Sequence, residues 1–412
     1  MSVQREDEQY DRAVLTLGES FIQNPHATYA RLRRQGPVHR VRLLNGAEAW
    51  LVTSYAEARS LLNDPRLKKN NVTASGLFPP GSTTIGSVLG DNMLFRDPPD
   101  HTRLRRFVSA AFTARSVRRL RPTIAGIADE LLDAMAERSP GRVDLMQSLA
   151  LPLPIRVIGE LLGVPADTRF SSLVMPVFST SSPEEMARAQ TELTELLQTI
   201  IAAKREQQSD DVLGHLVHLR DHGDQLSEQE LLGTAFLLIT AGYETTVNLI
   251  ANAVLALLRH PAQLAALRED RSLLPAAVEE TLRYESPLNT ATVRYTSAPV
   301  TVGGTQIPAG ELVMIALLGA NHDERQFRNA DLFDIFRTDN RNLAFGHGIH
   351  HCIGAPLARM EAQIALDRLL SRFNHIELVQ DEPLTYRPST LMRGLVHLPV
   401  RVAAKRGPYR VR

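Results

Sequence analysis

The stretch FGHGIHHCIG, residues 345–354, decides how the chain is built around its functional site. It contains Cys352, the single cysteine among 412 residues, together with three histidines and three glycines. Glycine permits tight turns and a close approach of the backbone to a flat object. The next residues, APLARMEAQIAL, predict a helix with Pro356 in its first turn. Cys352 therefore lies just before a helix N-terminus, where backbone N–H groups and the helix dipole stabilise a thiolate.

Three interpretations of Cys352 are open on these ten residues. A buried, inert side chain is the commonest fate of a lone cysteine, but it leaves the glycines unexplained. A zinc site from His347, His350, His351 and Cys352 has suitable ligand types, although four ligands within six residues are difficult to close tetrahedrally. A nucleophilic cysteine could use His350 or His351 as its base, but this leaves a second unusual segment without a role.

That second segment is 227–258, SEQELLGTAFLLITAGYETTVNLIANAVLALL. Ser227 and Glu230 form a capping box, and the predicted helix is roughly 48 Å long at 1.5 Å per residue. Its length would allow a membrane span, and it is apolar nearly all round after Glu230. Its middle, however, carries Glu244, Thr245, Thr246, Asn248 and Asn252. The sequence therefore predicts a buried central helix in a soluble protein.

A carboxylate in the middle of a buried helix needs a partner or a use. The Thr245 hydroxyl can bond the carbonyl of Ala241 and so loosen the helix beside Glu244. Gly242 removes a side chain at the same turn. The segment is suited to a groove for a small polar molecule, and equally to a satisfied polar cluster in the core.

The rest of the chain predicts a mainly α protein with small antiparallel β-sheets. Two hairpins are predicted, around Asn45-Gly46 and Gly303-Gly304. No linker divides the chain, so we expect a single domain over 1–412, with flexible ends at 1–10 and 403–412. Apolar residues recur at helical spacing in segments 25–35, 54–62, 101–119, 122–137, 146–163, 185–205, 227–258, 261–268, 275–284 and 355–373.

Composition narrows the class of protein. Lys plus Arg and Asp plus Glu both total 46, so net charge gives no reason to expect a nucleic-acid partner. A single cysteine excludes an intramolecular disulfide and fits a reducing compartment. The polar start, MSVQREDEQYDRAV, is not of signal-peptide type. We therefore expect a cytoplasmic protein with no membrane anchor.

The opening stretch resembles the heme-ligand loop of the cytochrome P450 family. Its pattern is Phe345-Gly346-x-Gly348-x-His350-x-Cys352-x-Gly354. Weaker matches follow the family order over most of the chain. Ala241-Gly242-x-Glu244-Thr245-Thr246 resembles its oxygen-activation groove. Glu280-x-x-Arg283 and Phe333-Asp334-x-x-Arg337 resemble its buried ion-pair network, and residues 97–105 resemble the bacterial helix that meets the heme propionates. The resemblance implies the cytochrome P450 fold, with the long central helix over a heme.

The resemblance also implies roles for individual residues. Cys352 would be the axial thiolate of a heme b iron. Glu244 and Thr245 would deliver protons, while Gly242 and Ala241 leave room for O2. Further heme contacts would come from His101, Arg105, Arg294, His350, Phe345 and Gly346. Glu280, Arg283 and Arg337 would form the structural ion-pair network. The substrate pocket would take residues from 72–94 and 168–183, and Leu89, Leu94, Leu237, Asn289, Thr290, Thr292 and Leu391.

The activity implied is a heme-thiolate monooxygenase that uses O2 and a reductant to hydroxylate or epoxidise a largely hydrophobic molecule, such as a macrolide or another secondary metabolite. Electrons would come from a separate ferredoxin and ferredoxin reductase. Residues 101–121 carry seven arginines and no acidic residue, so they are a candidate docking surface for an acidic ferredoxin. A peroxide-driven or isomerising heme-thiolate enzyme, and a non-enzymatic heme or zinc binder, are the alternatives.

Overall fold

The computed structural model describes residues 14–79, 85–86, 88–164, 173–174, 182–207, 209–223, 226–381 and 383–404. The expected flexible start, 1–10, lies outside the described residues, as does most of the expected pocket segment 168–183. At the other end, Ala403 and Ala404 were expected to be flexible but belong to strand Pro399–Ala404, and the rest of the expected flexible tail, 405–412, lies outside the described residues.

Helices make up most of the described chain, as predicted. The expected helix 101–119 is broken at residues 112–113, where Thr113 caps a new helix by accepting a hydrogen bond from the Ser116 N–H (3.1 Å). The expected helix 146–163 begins as a π-helical turn, Met146–Ala150, before a helix that starts at Pro152. The α-helices are Glu19–Gln23, Pro25–Gln35, Tyr55–Leu61, Asn71–Ser75, Asp100–Ala111, Ala114–Arg119, Arg121–Ala136, Pro152–Leu162, Pro183–Glu206, Val212–Gly223, Glu228–Arg259, Pro261–Glu269, Leu274–Tyr284, Leu317–Asn321 and Ala355–Arg372.

The sheets are small, and both predicted hairpins are present. Val38–Arg42 pairs antiparallel with Glu48–Val52, and Val300–Val302 with Thr305–Ile307. The largest sheet is mixed and not purely antiparallel, because Glu48–Val52 also pairs parallel with Leu312–Ile315. Such a parallel pair needs a long crossover, which local sequence signals do not reveal. In spatial order that sheet has strands Leu15–Thr16, Val38–Arg42, Glu48–Val52, Leu312–Ile315, Arg294–Thr296 and Leu67–Lys68, and a second sheet has Phe373–Leu378, Pro399–Ala404 and Gly141–Asp144.

The central helix, Glu228–Arg259, organises the largest hydrophobic core. Its N-terminus has the predicted capping box between Ser227 and Glu230. Helices Pro152–Leu162, Leu274–Tyr284 and Ala355–Arg372 pack against it. By length and composition it could cross a membrane, but 78% of its most apolar 18-residue segment is buried inside the protein. The structure therefore agrees with the buried core helix predicted from the sequence.

Candidate functional site

The cysteine loop lies between the buried Leu343 and the helix Ala355–Arg372. Gly346 and Gly348 have φ angles of 73° and 74°, a region that other residues rarely adopt. A side chain at Gly348 would also collide with Asn63, whose Oδ1 lies 2.6 Å from the position of an added Cβ. The loop is closed by the Cys352 N–H, which donates to the Phe345 carbonyl at 2.9 Å. The glycines thus set the turn that presents Cys352.

Cys352 is accessible, although protein surrounds it on its other sides. Burial raises the pKa of its thiol, while the N–H groups of Gly354 and Ala355 and the charge of Arg105 oppose that rise. The expected helix N-terminus effect is therefore present but weaker than burial. A thiolate here needs a further positive charge, such as a metal ion in front of the sulfur. Among the described residues, no group of three or more His, Cys, Asp or Glu side chains could hold a metal ion, which removes support for the histidine-rich zinc site.

A cluster of cationic side chains lies beside this loop. His101 and Lys69 are each 2% exposed, and both ring nitrogens of His101 and the Lys69 Nζ have no hydrogen-bond partner among the described residues. The His101 and His350 rings are 4.3 Å apart between centroids. Arg294 is 4% exposed, and burial lowers its pKa to about 10. Burial also lowers the pKa of Lys69, His101 and His350, which disfavours their cationic forms unless an anion lies close to them.

Asp97 is the carboxylate whose charge acts on this cluster, but it forms no ion pair with the cluster. Its carboxylate accepts hydrogen bonds from the backbone N–H groups of Lys69 and Asn70, each at 3.2 Å. The two propionates of a heme would supply the missing negative charge to His101, Lys69 and Arg294. The residues present therefore fit the cofactor. Lys69 was not found from the sequence, because a lysine just after a two-residue strand, Leu67–Lys68, gives no sign that its amine is buried.

Arg105 and Phe345 support the loop from two sides. The Arg105 Nη2 donates to the His351 carbonyl at 2.7 Å, which ties helix Asp100–Ala111 to the loop. The Arg359 guanidinium lies 4.5 Å from the centroid of the Phe345 ring. Arg105 was expected to contact a propionate, and the structure shows it bonded to the cysteine loop itself.

The central helix exposes one patch at its middle. Ala241 is exposed and Thr245 partly exposed, although residues 231–240 and 246–257 are buried. The Thr245 Oγ1 donates to the Ala241 carbonyl at 3.0 Å, as expected, yet the helix is continuous and does not open there. Gly242 also has a packing role, because an added Cβ would lie 2.6 Å from Ile158 Cδ1. Its missing side chain lets helix Pro152–Leu162 approach.

Glu244 does not share this exposed patch. It is 2% exposed, and its Oε1 accepts a hydrogen bond from Arg387 Nη1 at 2.5 Å. Burial raises the pKa of the Glu244 carboxyl, and the positive charge of Arg387 opposes the rise. Arg387 was not identified from the sequence, because 143 residues separate the pair.

The structure brings Glu280, Arg283 and Arg337 together as one buried network. Arg283 is 0% exposed, and its Nε and Nη2 donate to the two Glu280 oxygens at 2.9 and 2.7 Å. Arg337 Nε donates to Glu280 Oε2 at 3.1 Å. Arg283 also bonds the carbonyls of Asn321 and Ala330 (3.0 and 2.7 Å). The network therefore joins helix Leu274–Tyr284 to the segment that leads to the cysteine loop.

The expected pocket residues divide into two groups. Leu94, Thr292 and Leu391 are partly exposed, as residues facing a ligand space would be. Leu89, Leu237, Asn289 and Thr290 are buried. The Asn289 Oδ1 accepts a hydrogen bond from the Tyr29 hydroxyl at 2.8 Å, and the Thr290 hydroxyl donates to the Thr390 carbonyl at 3.3 Å. These two polar side chains are therefore already bonded within the protein.

Known proteins are similar to this chain in sequence and in fold. A family model described as Cytochrome P450 matches residues 155–402. Cytochrome P450 107B1 of Saccharopolyspora erythraea is 48% identical over 403 residues, which cover 95% of this chain and 98% of that protein. Cytochrome P450 monooxygenase PikC of Streptomyces venezuelae is 48% identical over 393 residues, covering 93% and 92%. The solved structure of the P450 monooxygenase TamI with bound tirandamycin C has a TM-score of 0.89 at 47% identity, covering 94% of this chain and 100% of that one. The chain therefore belongs to the cytochrome P450 family and is a monooxygenase that binds heme through a cysteine thiolate.

Proposed function

We propose that Cys352 is the axial ligand of the heme iron, and that His101, Lys69, Arg294 and His350 hold the propionates. The observation that carries this assignment is the set of buried basic groups beside the single cysteine that have no anionic partner in the described part of the chain. Arg105, Phe345 and Gly346 shape the cysteine loop. Glu280, Arg283 and Arg337 hold the segment before it.

We propose that Thr245 and Glu244 handle the protons of the reaction. A heme held by these residues would supply the oxygen chemistry, in which one atom of O2 enters the substrate and the other leaves as water at the expense of two electrons and two protons. The Thr245 hydroxyl lies on the accessible patch, and while it donates to the Ala241 carbonyl its oxygen can accept a hydrogen bond from water or from a bound molecule. The Glu244 carboxyl, one residue away and with a raised pKa, can carry a proton from within the protein.

The substrate is a hydrophobic small molecule, and we infer a macrolide or a related secondary metabolite. The exposed Ala241 and the partly exposed Leu94, Leu391 and Thr292 present mostly apolar surface. Two bacterial relatives are named 6-deoxyerythronolide B hydroxylase (40% identical over 398 residues) and Mycinamicin IV hydroxylase/epoxidase (42% over 380 residues). Titrating macrolactones and polyketides into the heme-loaded protein should identify compounds that displace water from the iron and shift its spin state. A response only to unrelated lipids or steroids would contradict this substrate class.

We further propose that a separate acidic ferredoxin, with its reductase, supplies the electrons to a cytoplasmic enzyme that needs no membrane. Five arginines from 101–121 are exposed: Arg106, Arg115, Arg118, Arg119 and Arg121. They lie on helices that adjoin the cysteine loop, because Arg105 bonds that loop and helix Ala114–Arg119 contacts helix Ala355–Arg372. Ile349, 46% exposed on the loop itself, adds an apolar contact. Basic rims of this kind steer an acidic partner.

The dependence of the reduction rate on ionic strength tests the docking proposal. The rate of reduction by an acidic ferredoxin should fall steeply as ionic strength rises, because exposed charges are screened. Arg118→Gln should slow reduction at low salt, whereas Arg142→Gln, on a distant strand, should not. A rate that is independent of salt would contradict the proposal.

Thr245→Ala tests the proton assignment. Loss of the hydroxyl should leave the heme spectrum intact but divert electrons from product to hydrogen peroxide. Thr240→Ala is the matched control, because the Thr240 hydroxyl makes the same kind of bond to a helix carbonyl (Phe236, 2.8 Å) but is buried. Equal product per electron in the parent and Thr245→Ala would overturn the assignment.

A further inference from the structure

Residues 385–396, here called the C-terminal hairpin, fold back on themselves. The Arg387 N–H donates to the Gly394 carbonyl at 2.9 Å, and the Val396 N–H to the Thr385 carbonyl at 2.9 Å. The position of Arg387 is therefore set by backbone bonds within the hairpin.

One side of the C-terminal hairpin lies on a polar stripe of the central helix, formed by Glu244, Asn248 and Asn252 at four-residue spacing. Arg387 donates to Glu244 at 2.5 Å, and Asn252 Nδ2 donates to the Arg393 carbonyl at 3.1 Å. Between them the contact is close, since a Cβ at Gly394 would lie 2.2 Å from Asn248 Oδ1. The stripe thus positions the hairpin along the helix.

The other side of the C-terminal hairpin is bonded to the segment before strand Arg294–Thr296. The Asn289 N–H donates to the Leu391 carbonyl, and the Arg393 N–H to the Pro287 carbonyl, each at 2.8 Å. Leu391, at the tip, is partly exposed. The hairpin consequently joins an expected substrate-contacting residue to Arg387, the one partner of the Glu244 carboxylate within the described residues.

The charge of Glu244 depends on this contact. The carboxyl is 2% exposed, and its second oxygen, Oε2, has no partner among the described residues. Burial raises its pKa, and Arg387 is the charged group in the described part of the chain that acts against this. Without Arg387, no recorded charge or side-chain hydrogen bond would favour the carboxylate form.

We propose that Arg387 is a positioning residue, which holds the Glu244 carboxylate in place and sets when it gains or loses its proton. The inference rests on the proposed role of Glu244 in proton supply. After Glu244 gives its proton toward the Thr245 patch, it is left as a carboxylate that Arg387 stabilises, and it regains a proton from water.

The titration of Glu244 can be measured without a substrate. In the heme-loaded protein, the infrared C=O stretch of the protonated carboxyl is assigned by its loss in Glu244→Gln and followed with pH. A nearby opposite charge shifts a carboxyl pKa by about 1–3 units. Arg387→Gln should therefore raise the midpoint by about 1–3 pH units, and Arg387→Lys should largely restore it. Arg401→Gln, an exposed arginine on the strand after the hairpin, should leave it unchanged.

The results separate this inference from the proposed function. An unshifted midpoint in Arg387→Gln, with the heme spectrum retained, overturns the role of Arg387. If that variant does not load heme, Arg387→Lys decides. Its midpoint should stay close to that of the parent, and a rise of about 1–3 pH units despite the retained cation would contradict the role of the Arg387 charge. Product per electron against pH then tests the proposed function. Product per electron should fall with rising pH around the infrared midpoint of each variant. If Glu244→Gln yields the same product per electron as the parent, the proton role of Glu244 is overturned, while the effect of Arg387 on the Glu244 midpoint is not.

Discussion

The Glu280 network supports a quantitative prediction about stability. In Glu280→Gln the side chain keeps its shape and one carbonyl oxygen, but loses its charge and turns an NH2 group toward donors. Glu280 accepts hydrogen bonds from Arg283, Arg337, Asn340 and the Asp334 N–H. Arg283, 0% exposed, would be left as a buried cation without a counter-charge. Breaking a buried pair in this way costs about 3–5 kcal/mol.

This loss of free energy of unfolding can be expressed as a fall in melting temperature. The entropy of unfolding is about 2.1 cal/mol/K per residue, or about 0.9 kcal/mol/K for this chain. The expected fall in the melting temperature of the heme-loaded protein is therefore about 3–6 °C, measured by circular dichroism. Because Asn340 precedes the cysteine loop and donates to Glu280 at 3.0 Å, the red-shifted ferrous–CO band should be lost at lower temperature as well.

A surface ion pair supplies the control. Glu377 pairs with Arg401 at 3.2 Å, but their side chains are 49% and 58% exposed. Exposed pairs contribute little, so Glu377→Gln should change the melting temperature by less than about 1 °C. If Glu280→Gln and Glu377→Gln melt alike, the buried network does not stabilise the protein as argued.

Three further predictions follow from single contacts. Gly242→Ala should destabilise the protein by about 1–3 kcal/mol in urea unfolding, and adding Ile158→Val, which removes the clashing carbon, should restore it; no rescue would contradict the packing argument. Lys69→Met should speed heme transfer to apomyoglobin by about 10-fold or more, as expected for loss of a bond to a carboxylate, while its less buried neighbour Lys68→Met should not. Burial lowers the pKa of His322 to about 3, so its neutral form contributes stability above about pH 6.5 that is lost as pH falls toward 3. His322→Gln should therefore lose less stability than the parent between pH 7 and 5, and equal losses would refute this.

Parts of the site were predictable because their signal is local. The glycines around Cys352 and the Thr245-to-Ala241 bond depend on residues within a few positions of one another, and both are present in the structure. Gly242 shows the limit of such reasoning. Its sequence context predicts space for O2, but it could not predict the tight contact with Ile158, which belongs to another helix.

The sequence by itself determined the class of fold, the central helix, the cysteine loop and the family, because periodicity, capping residues and a ten-residue motif are properties of neighbouring residues. Only the tertiary structure decided which charges meet. Lys69 joins His101 and Arg294, and Arg387 reaches Glu244 across 143 residues, through strands and a hairpin that order the chain over long distances. The physical reason is that burial and pairing, which control the cost of a charge, arise from contacts between distant segments. The sequence alone does not show whether a charged side chain is exposed to water or buried against a partner.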